Sequence, residues 1–333
     1  MVRSAHRLQR SPPVPITDRR ITLRFLAAPT DVATLGGGVR GGRILEWIDK
    51  AAYACAAAWS GGYSVTAYVG NIGFGRDIAS GDVVEVRATL VHTGRSSMHI
   101  QCEVASADPR VGTFTVASTC LLVFVAVDEA GKPKPVRQWQ PVLAEDVRAA
   151  EEAEVRTDVR QRIAAAMSGA DYSLPTEAER RTTRFLAAPT DINWGGKAHG
   201  GRVMGWMDDA AYLCAAGWSG GEAVTVYVGG VRFYRPVQIG QVIEVSARLL
   251  HTGRQTMHVS VHLATCWPHE HTPQPAAHAL HVLAALDAGG DATAVRRWTP
   301  RLPGDVALDA HARELIAIRG RRTASAATRM VAI

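Results

Sequence analysis

The sequence predicts an α+β protein made of two tandem copies of one unit, each a long buried helix set against an antiparallel sheet. Three observations carry that reading. First, "TLRFLAAPTD" at 22–31 returns as "TTRFLAAPTD" at 182–191, and residues 41–74 align with 200–233 at 21 identical positions in 34. The offset is 160 before Gly41 and 159 after it, so the second copy has lost one loop residue. Second, a segment of each copy ("DKAAYACAAAW" in the first) is apolar almost all round, as an enclosed helix is. Third, Val- and Thr-rich runs bounded by turn residues follow that helix, as strands do.

Taken in order, copy one begins with a short strand at 21–27 and a Gly-rich loop at 29–40. Its helix is expected over 41–59, where "SGG" supplies a stop signal. Glu46 and Lys50, four residues apart, are expected as an ion pair on the one wet edge of that helix. Strands are expected at 63–74, 83–93, 96–106 and 113–127, with the tight "HTGRSS" turn between the middle two. A Pro-rich stretch at 132–141 closes the copy, and a charged helix is expected over 145–166. The chain then divides into a disordered tail at 1–19, a first unit at 20–130, a linker at 131–179, a second unit at 180–288 and an extension at 289–333. The extension is expected to hold a helix at about 305–319 and to end in a disordered tail.

At 333 residues, 47% hydrophobic and 20% charged, each unit can build a core of its own. No uninterrupted apolar run approaches the roughly 18 residues of a membrane span, so none is expected. The net charge is +6 and the isoelectric point about 9.3, which favours anionic partners. The basic residues are scattered and no RNA-binding or helix-turn-helix signature stands out, so an anionic metabolite fits better than nucleic acid. Cys55, Cys102, Cys120, Cys214 and Cys266 are odd in number and form no CxxC pair. They read as reduced thiols of a cytoplasmic protein. The N-terminus lacks the apolar core of a signal peptide. "PHEHTP" (268–273) has the look of a zinc run but falls in a hairpin loop with no counterpart in copy one. No metal is expected.

One position in each helix departs from the pattern. Asp49 and Asp208 fall on the face that should be buried, and the residues three and four places from Asp208 are Met204, Gly205, Ala211 and Tyr212, none of them basic. Glycine pairs, Gly41-Gly42 and Gly200-Gly201, open the two helices. Free N–H groups and the helix dipole at such an end suit a developing oxyanion. Copy two carries "PTDIN…HGGRVMGWMDDAA", "VTVYVGGVRFYRPVQIGQ" and "HTGRQTMH". Copy one carries "PTD…GGRILEWIDKAA", "VTAYVGNIGF…SGD" and "HTGRSSMH". Together these resemble the hotdog-fold acyl-CoA thioesterases, in the branch that fuses two hotdogs in one chain.

The resemblance implies two tandem hotdog domains, each a long helix wrapped by a curved antiparallel sheet. It implies hydrolysis of acyl-CoA to free acid and coenzyme A, with no cofactor beyond the coenzyme A of the substrate, and three chains assembled into six hotdogs. A desolvated Asp beside a thioester can activate water as a general base or attack to form an anhydride, and the sequence leaves both open. In the resembled family an Asn two residues after a loop Asp works with the helical acid of the opposite hotdog. Copy two keeps Asp191-Ile192-Asn193 and His199, whereas copy one reads Asp31-Val32-Ala33 with Arg40 in place of the histidine. The complete site is therefore expected to join Asp49 to Asn193, with a degenerate one at Asp208.

The oxyanion end is expected from Gly41, Gly42, His199, Gly200 and Gly201. Gly41 and Asp49 are about 12 Å apart along one helix, so water or the other hotdog must close the gap. Arg95 and Arg254, each after a Thr-Gly turn, are expected on the coenzyme A phosphates, with Ser96 and Ser97 as hydroxyl donors. His92, His99, His251 and His258 read as strand-face residues. Two other readings are a non-catalytic acyl-CoA-binding protein and a hotdog hydratase. "SGDVVEV" (80–86) lacks the Asn and His that the hydratase needs.

Overall fold

The computed structural model describes residues 19–32 and 38–326. Copy one runs β1 (Arg20–Leu26), α1 (Gly41–Ser60), β2 (Ser64–Val69), β3 (Ile72–Gly73), β4 (Val83–Thr93), β5 (Ser97–Ala107) and β6 (Thr115–Ala126). A linker helix, α2 (Ala144–Gly169), precedes copy two: β7 (Arg180–Leu186), α3 (Gly200–Ser219), β8 (Ala223–Phe233), β9 (Val242–Thr252), β10 (Thr256–Cys266) and β11 (Gln274–Ala285). A last helix, α4, covers Pro303–Ala326. Gly61 and Gly220 end α1 and α3 in the left-handed conformation, φ 63° and 74°, which glycine adopts without a Cβ clash.

All eleven strands form one antiparallel sheet ordered β1-β4-β5-β6-β2-β8-β11-β10-β9-β7, with β3 added to β8. The copies join edge to edge where β2 meets β8, at Tyr68↔Arg232 and Val69↔Val231. The run expected as one strand at 63–74 breaks here. Gly70 turns its N–H to the Leu121 carbonyl, and Ile72 crosses to pair with Val228.

α1 and α3 share one continuous core with the inner face of the sheet. They also cross each other at backbone contact. A Cβ on Gly42 would stand 2.9 Å from the Gly205 Cα, and one on Gly201 would stand 2.6 Å from the Glu46 Cα. The Glu46–Lys50 pair forms at 2.7 Å, and of the two only Lys50 reaches the surface, because α3 crosses there and leaves Glu46 6% exposed. Burial pushes the Glu46 carboxyl up; hydrogen bonds and charge from Lys50 and Arg43 outweigh it and hold the group below its ordinary value.

The outer face of copy two is covered by α2 and α4. Leu250 and Leu280 pack there against Ile163, Met167, Leu308, Ala312 and Leu315, while their neighbours Leu249 and Ala279 face the inner core, as strand alternation requires. The helix expected to end near 319 continues to Ala326, and 327–333 lie outside the described residues. Of the tail expected at 1–19, residues 1–18 also lie outside. Arg19 is ordered: its guanidinium pairs with Asp146 of α2 and lies over Trp139. Lys134 and Val136 donate their N–H groups to the carbonyls of Ala126 and Arg95, so this part of the Pro-rich stretch stays on the first hotdog. Among the described residues no helix is long and apolar enough to cross a membrane.

Candidate active site

Because α1 and α3 cross, the N-terminus of each helix lies against the aspartate of the other. Asp49 Oδ2 accepts the Gly201 N–H at 2.8 Å and lies 2.9 Å from His199 Nδ1. Its Oδ1 accepts the Thr66 hydroxyl at 2.8 Å. Asp208 repeats the arrangement: Oδ2 accepts the Gly42 N–H and Oδ1 the Thr225 hydroxyl, both at 2.7 Å. The distance between Gly41 and Asp49 is thereby irrelevant, since each carboxylate takes its N–H from the opposite copy. The glycine pairs also supply the space. A Cβ on Gly200 would stand 3.1 Å from Asp49 Oδ2, and one on Gly41 would stand 3.2 Å from Asp208 Oδ2.

The two ends then diverge. On the Asp49 side, His199 caps α3 and its Nδ1 also lies 3.2 Å from the Gly201 N–H. A protonated Nδ1 donates to Asp49; an unprotonated one accepts from Gly201. Asn193 follows the short turn at Pro189–Asp191, whose Asp191 is held by Arg202 and by the Ala188 N–H. Asn193 Oδ1 accepts from the N–H groups of Gly195 (2.8 Å) and Lys197 (3.2 Å). Its Nδ2 donates to the Tyr63 hydroxyl at 3.1 Å and to the Ala198 carbonyl at 3.4 Å. Among the described residues it makes no hydrogen bond to Asp49.

On the Asp208 side, Ala33 lies outside the described residues. Arg40, the counterpart of His199, reaches Asp209 at 3.4 Å. Behind Asp208 stands His281, with Nε2 3.7 Å from Oδ1, where copy one has Leu122. Burial raises the Asp208 carboxyl, against the hydrogen bonds of Thr225 and Gly42 and the charge of Arg40.

Two cavities of different charge lie near these ends; Asp208 lines one of them, and Asp49 lines neither. The one beside Asn193, about 580 Å³, is lined by Tyr63, Trp194, Lys134 and Lys197, with Asp128 and Glu129. The one beside Asp208, about 820 Å³, has Arg40 against Asp77, Asp208, Asp209, Glu222 and Asp287. Trp194 is 72% exposed and stacks on Tyr53 with ring centroids 4.9 Å apart, tying the second copy's loop to the first copy's helix.

Arg95 and Arg254 sit exposed on their hairpin turns, their carbonyls accepting from Val136 and Val295. The Ser96 carbonyl takes the Ala126 N–H, and Ser97 packs against Gly94. None of these four residues lines the two cavities. All five cysteines are buried and none is in a disulfide, and among the described residues no group of three or more His, Cys, Asp or Glu could hold a metal. The sequence reading missed Thr66, Thr225 and Tyr63.

Fold and paired aspartates alike define a double-hotdog protein of the thioesterase class. The chain belongs to the thioesterase superfamily, whose family model matches it twice, at residues 36–113 and 195–265. A Buchnera aphidicola protein named as an uncharacterized acyl-CoA thioester hydrolase is 34% identical over 119 residues, covering 34% of this chain and 87% of that one. The cytosolic acyl coenzyme A thioester hydrolase of Mus musculus is 26% identical over 257 residues, covering 72% and 67%. A Lactobacillus plantarum structure described as an oleoyl thioesterase superposes with a TM-score of 0.54 at 11% identity, over 82% of this chain and all of that one, a likeness of fold.

Proposed function

We propose that this chain is an acyl-CoA thioester hydrolase with one working site per chain, built from Asp49 and Thr66 of the first hotdog and Asn193, His199, Gly200 and Gly201 of the second. The observation that carries this reading is the contact of Asp49 with the N-terminus of the opposite helix. A buried carboxylate there stands where helix N–H groups and the dipole can hold the thioester carbonyl. Water adds to the carbonyl carbon as Asp49 takes its proton, the oxyanion collapses, and coenzyme A leaves as the thiolate and is reprotonated. In the other route an Asp49 oxygen adds first, the C–S bond breaks to release coenzyme A as the thiolate, and water opens the resulting anhydride. Both routes need the same carboxylate. Asp208 has equivalent partners but faces an acidic cavity that repels an anionic substrate, and it lacks the loop histidine. We read it as the degenerate site.

We assign Arg95, Ser96, Ser97 and Arg254 to the coenzyme A phosphates from the fork of donors after each Thr-Gly turn and the exposure of both guanidinium groups. Three chains are proposed to assemble as six hotdogs, in the cytoplasm. The buried cysteines, none in a disulfide, and the cytosolic mouse relative support that setting.

The test is hydrolysis of acyl-CoA with a free-thiol readout, with a melting curve for each variant. Asp49→Ala is expected to lower kcat by at least about 100-fold, the scale of a lost general base, and Asn193→Ala to fall within about tenfold of it, since residues serving one site act as a unit. Asp208→Ala keeps most of the activity. A dead Asp208→Ala beside an active Asp49→Ala reverses the assignment.

A further inference from the structure

The carboxamide of Asn193 has two donor hydrogens and two acceptor lone pairs. The structure fills all four. Two backbone N–H groups hold Oδ1, so the oxygen and nitrogen cannot be exchanged. The Ala198 carbonyl and the Tyr63 hydroxyl hold Nδ2. Nothing of Asn193 is left over for a water or a thioester. The Tyr63 hydroxyl, by contrast, accepts from Asn193 and still has a proton to give, and among the described residues no acceptor takes it.

Tyr63 is placed for this with little freedom. It follows the Gly61-Gly62 turn that ends α1, it lines the cavity beside the Asn193 loop, and its ring fills the space a side chain at Gly195 would take. A Cβ on Gly195 would stand 2.2 Å from the ring Cζ and 2.4 Å from the hydroxyl oxygen. Burial raises the phenol above its ordinary value, against the Asn193 hydrogen bond and with a smaller contribution from the Asp49 charge. The hydroxyl therefore stays protonated at neutral pH. At the other end of the molecule Glu222 occupies the matching position, and its carboxylate, taken up by the Tyr212 hydroxyl at 3.0 Å, accepts hydrogen bonds but cannot donate one.

We propose that the Tyr63 hydroxyl, oriented by Asn193, is the substrate-facing hydrogen-bond donor of the Asp49 site, given to the thioester oxygen or to the attacking water. It rests on the hydrolysis reading above. Asn193 then acts through Tyr63, and no bond to hydrogen is broken at the phenol.

Two variants test it. Tyr63→Phe keeps the ring on Gly195 and removes only the donor; kcat is expected to fall about 100-fold, the scale of one lost oxyanion donor, with KM changing much less. Fluorinated tyrosine at position 63 makes the phenol more acidic and should shift the alkaline loss of activity to lower pH, which a packing role would not. Tyr63→Phe within about twofold of wild-type kcat overturns the inference, as does an unmoved alkaline limb. If the Phe variant does not fold, the fluorotyrosine profile decides alone. A wild-type chain without hydrolysis overturns the reading of function instead.

Discussion

Asp49 and Asp208 were legible because a carboxylate repeated among apolar neighbours stands out, and the crossing of α1 and α3 shows what keeps it there. Each glycine pair does two jobs. It lets the helix backbones touch and leaves an N–H open to the opposite carboxylate. Thr66 and Thr225 were hidden because threonine is at home in any strand. Tyr63 was hidden for another reason: comparing copies picks out what they share, and its counterpart is Glu222. Exposed Arg95 and Arg254 are expected to act on binding alone. A phosphate remote from the reacting carbon meets them equally in ground and transition states, so Arg95→Ala with Arg254→Ala should raise KM well before kcat falls. Each charge-assisted contact is worth about 1.5–3 kcal/mol. Unchanged KM for the double variant would place the phosphates elsewhere, with Lys134 and Lys197 the nearest cations on the Asn193 cavity.

At the scale of elements, α1 and α3 were readable from alanine-rich segments, and most strands from alternation and turns. The break after Val69 was not, because it follows from pairing with the second copy rather than from local residues. The second copy's sheet also carries an acid-sensitive element. Burial holds His258 and His281 at about 3, and His262 and His278 at about 4, far below their ordinary 6.5. In copy one only the first of these positions is a histidine, His99; the others are Glu103, Thr119 and Leu122. All four are neutral in the fold and free to take a proton when it opens. The unfolded chain therefore binds more protons below pH 6.5, and stability must fall as the pH drops from there toward 4, by up to about 1.4 kcal/mol per pH unit for each histidine. Above pH 6.5 they have no effect. Melting curves from pH 8 to 5 should show the loss, and His281→Leu, copy one's own solution, should flatten it. A melting temperature independent of pH over that range would mean these rings are not held neutral.

At the scale of the molecule, the joint between β2 and β8 uses one edge of each hotdog and leaves β1 and β7 as the two ends of the sheet. Both ends carry the same feature. Leu26 and Leu186, at corresponding positions closing β1 and β7, are 65% and 58% exposed. Single exposed leucines need no explanation, but one repeated at the same place in both copies puts the same apolar group on both free edges of the sheet. Asp49 meets the Gly201 N–H of the opposite hotdog within one chain, so the proposed site asks for no second chain. Association then should stabilise the fold without creating the catalytic group. Light scattering at micromolar concentration is expected to give three times the 35.7 kDa chain mass. Leu26→Glu with Leu186→Glu should lower that mass while sparing hydrolysis per chain. A wild-type mass near that of one chain would defeat the trimer, and loss of activity on dissociation would show that the site needs a neighbouring chain after all.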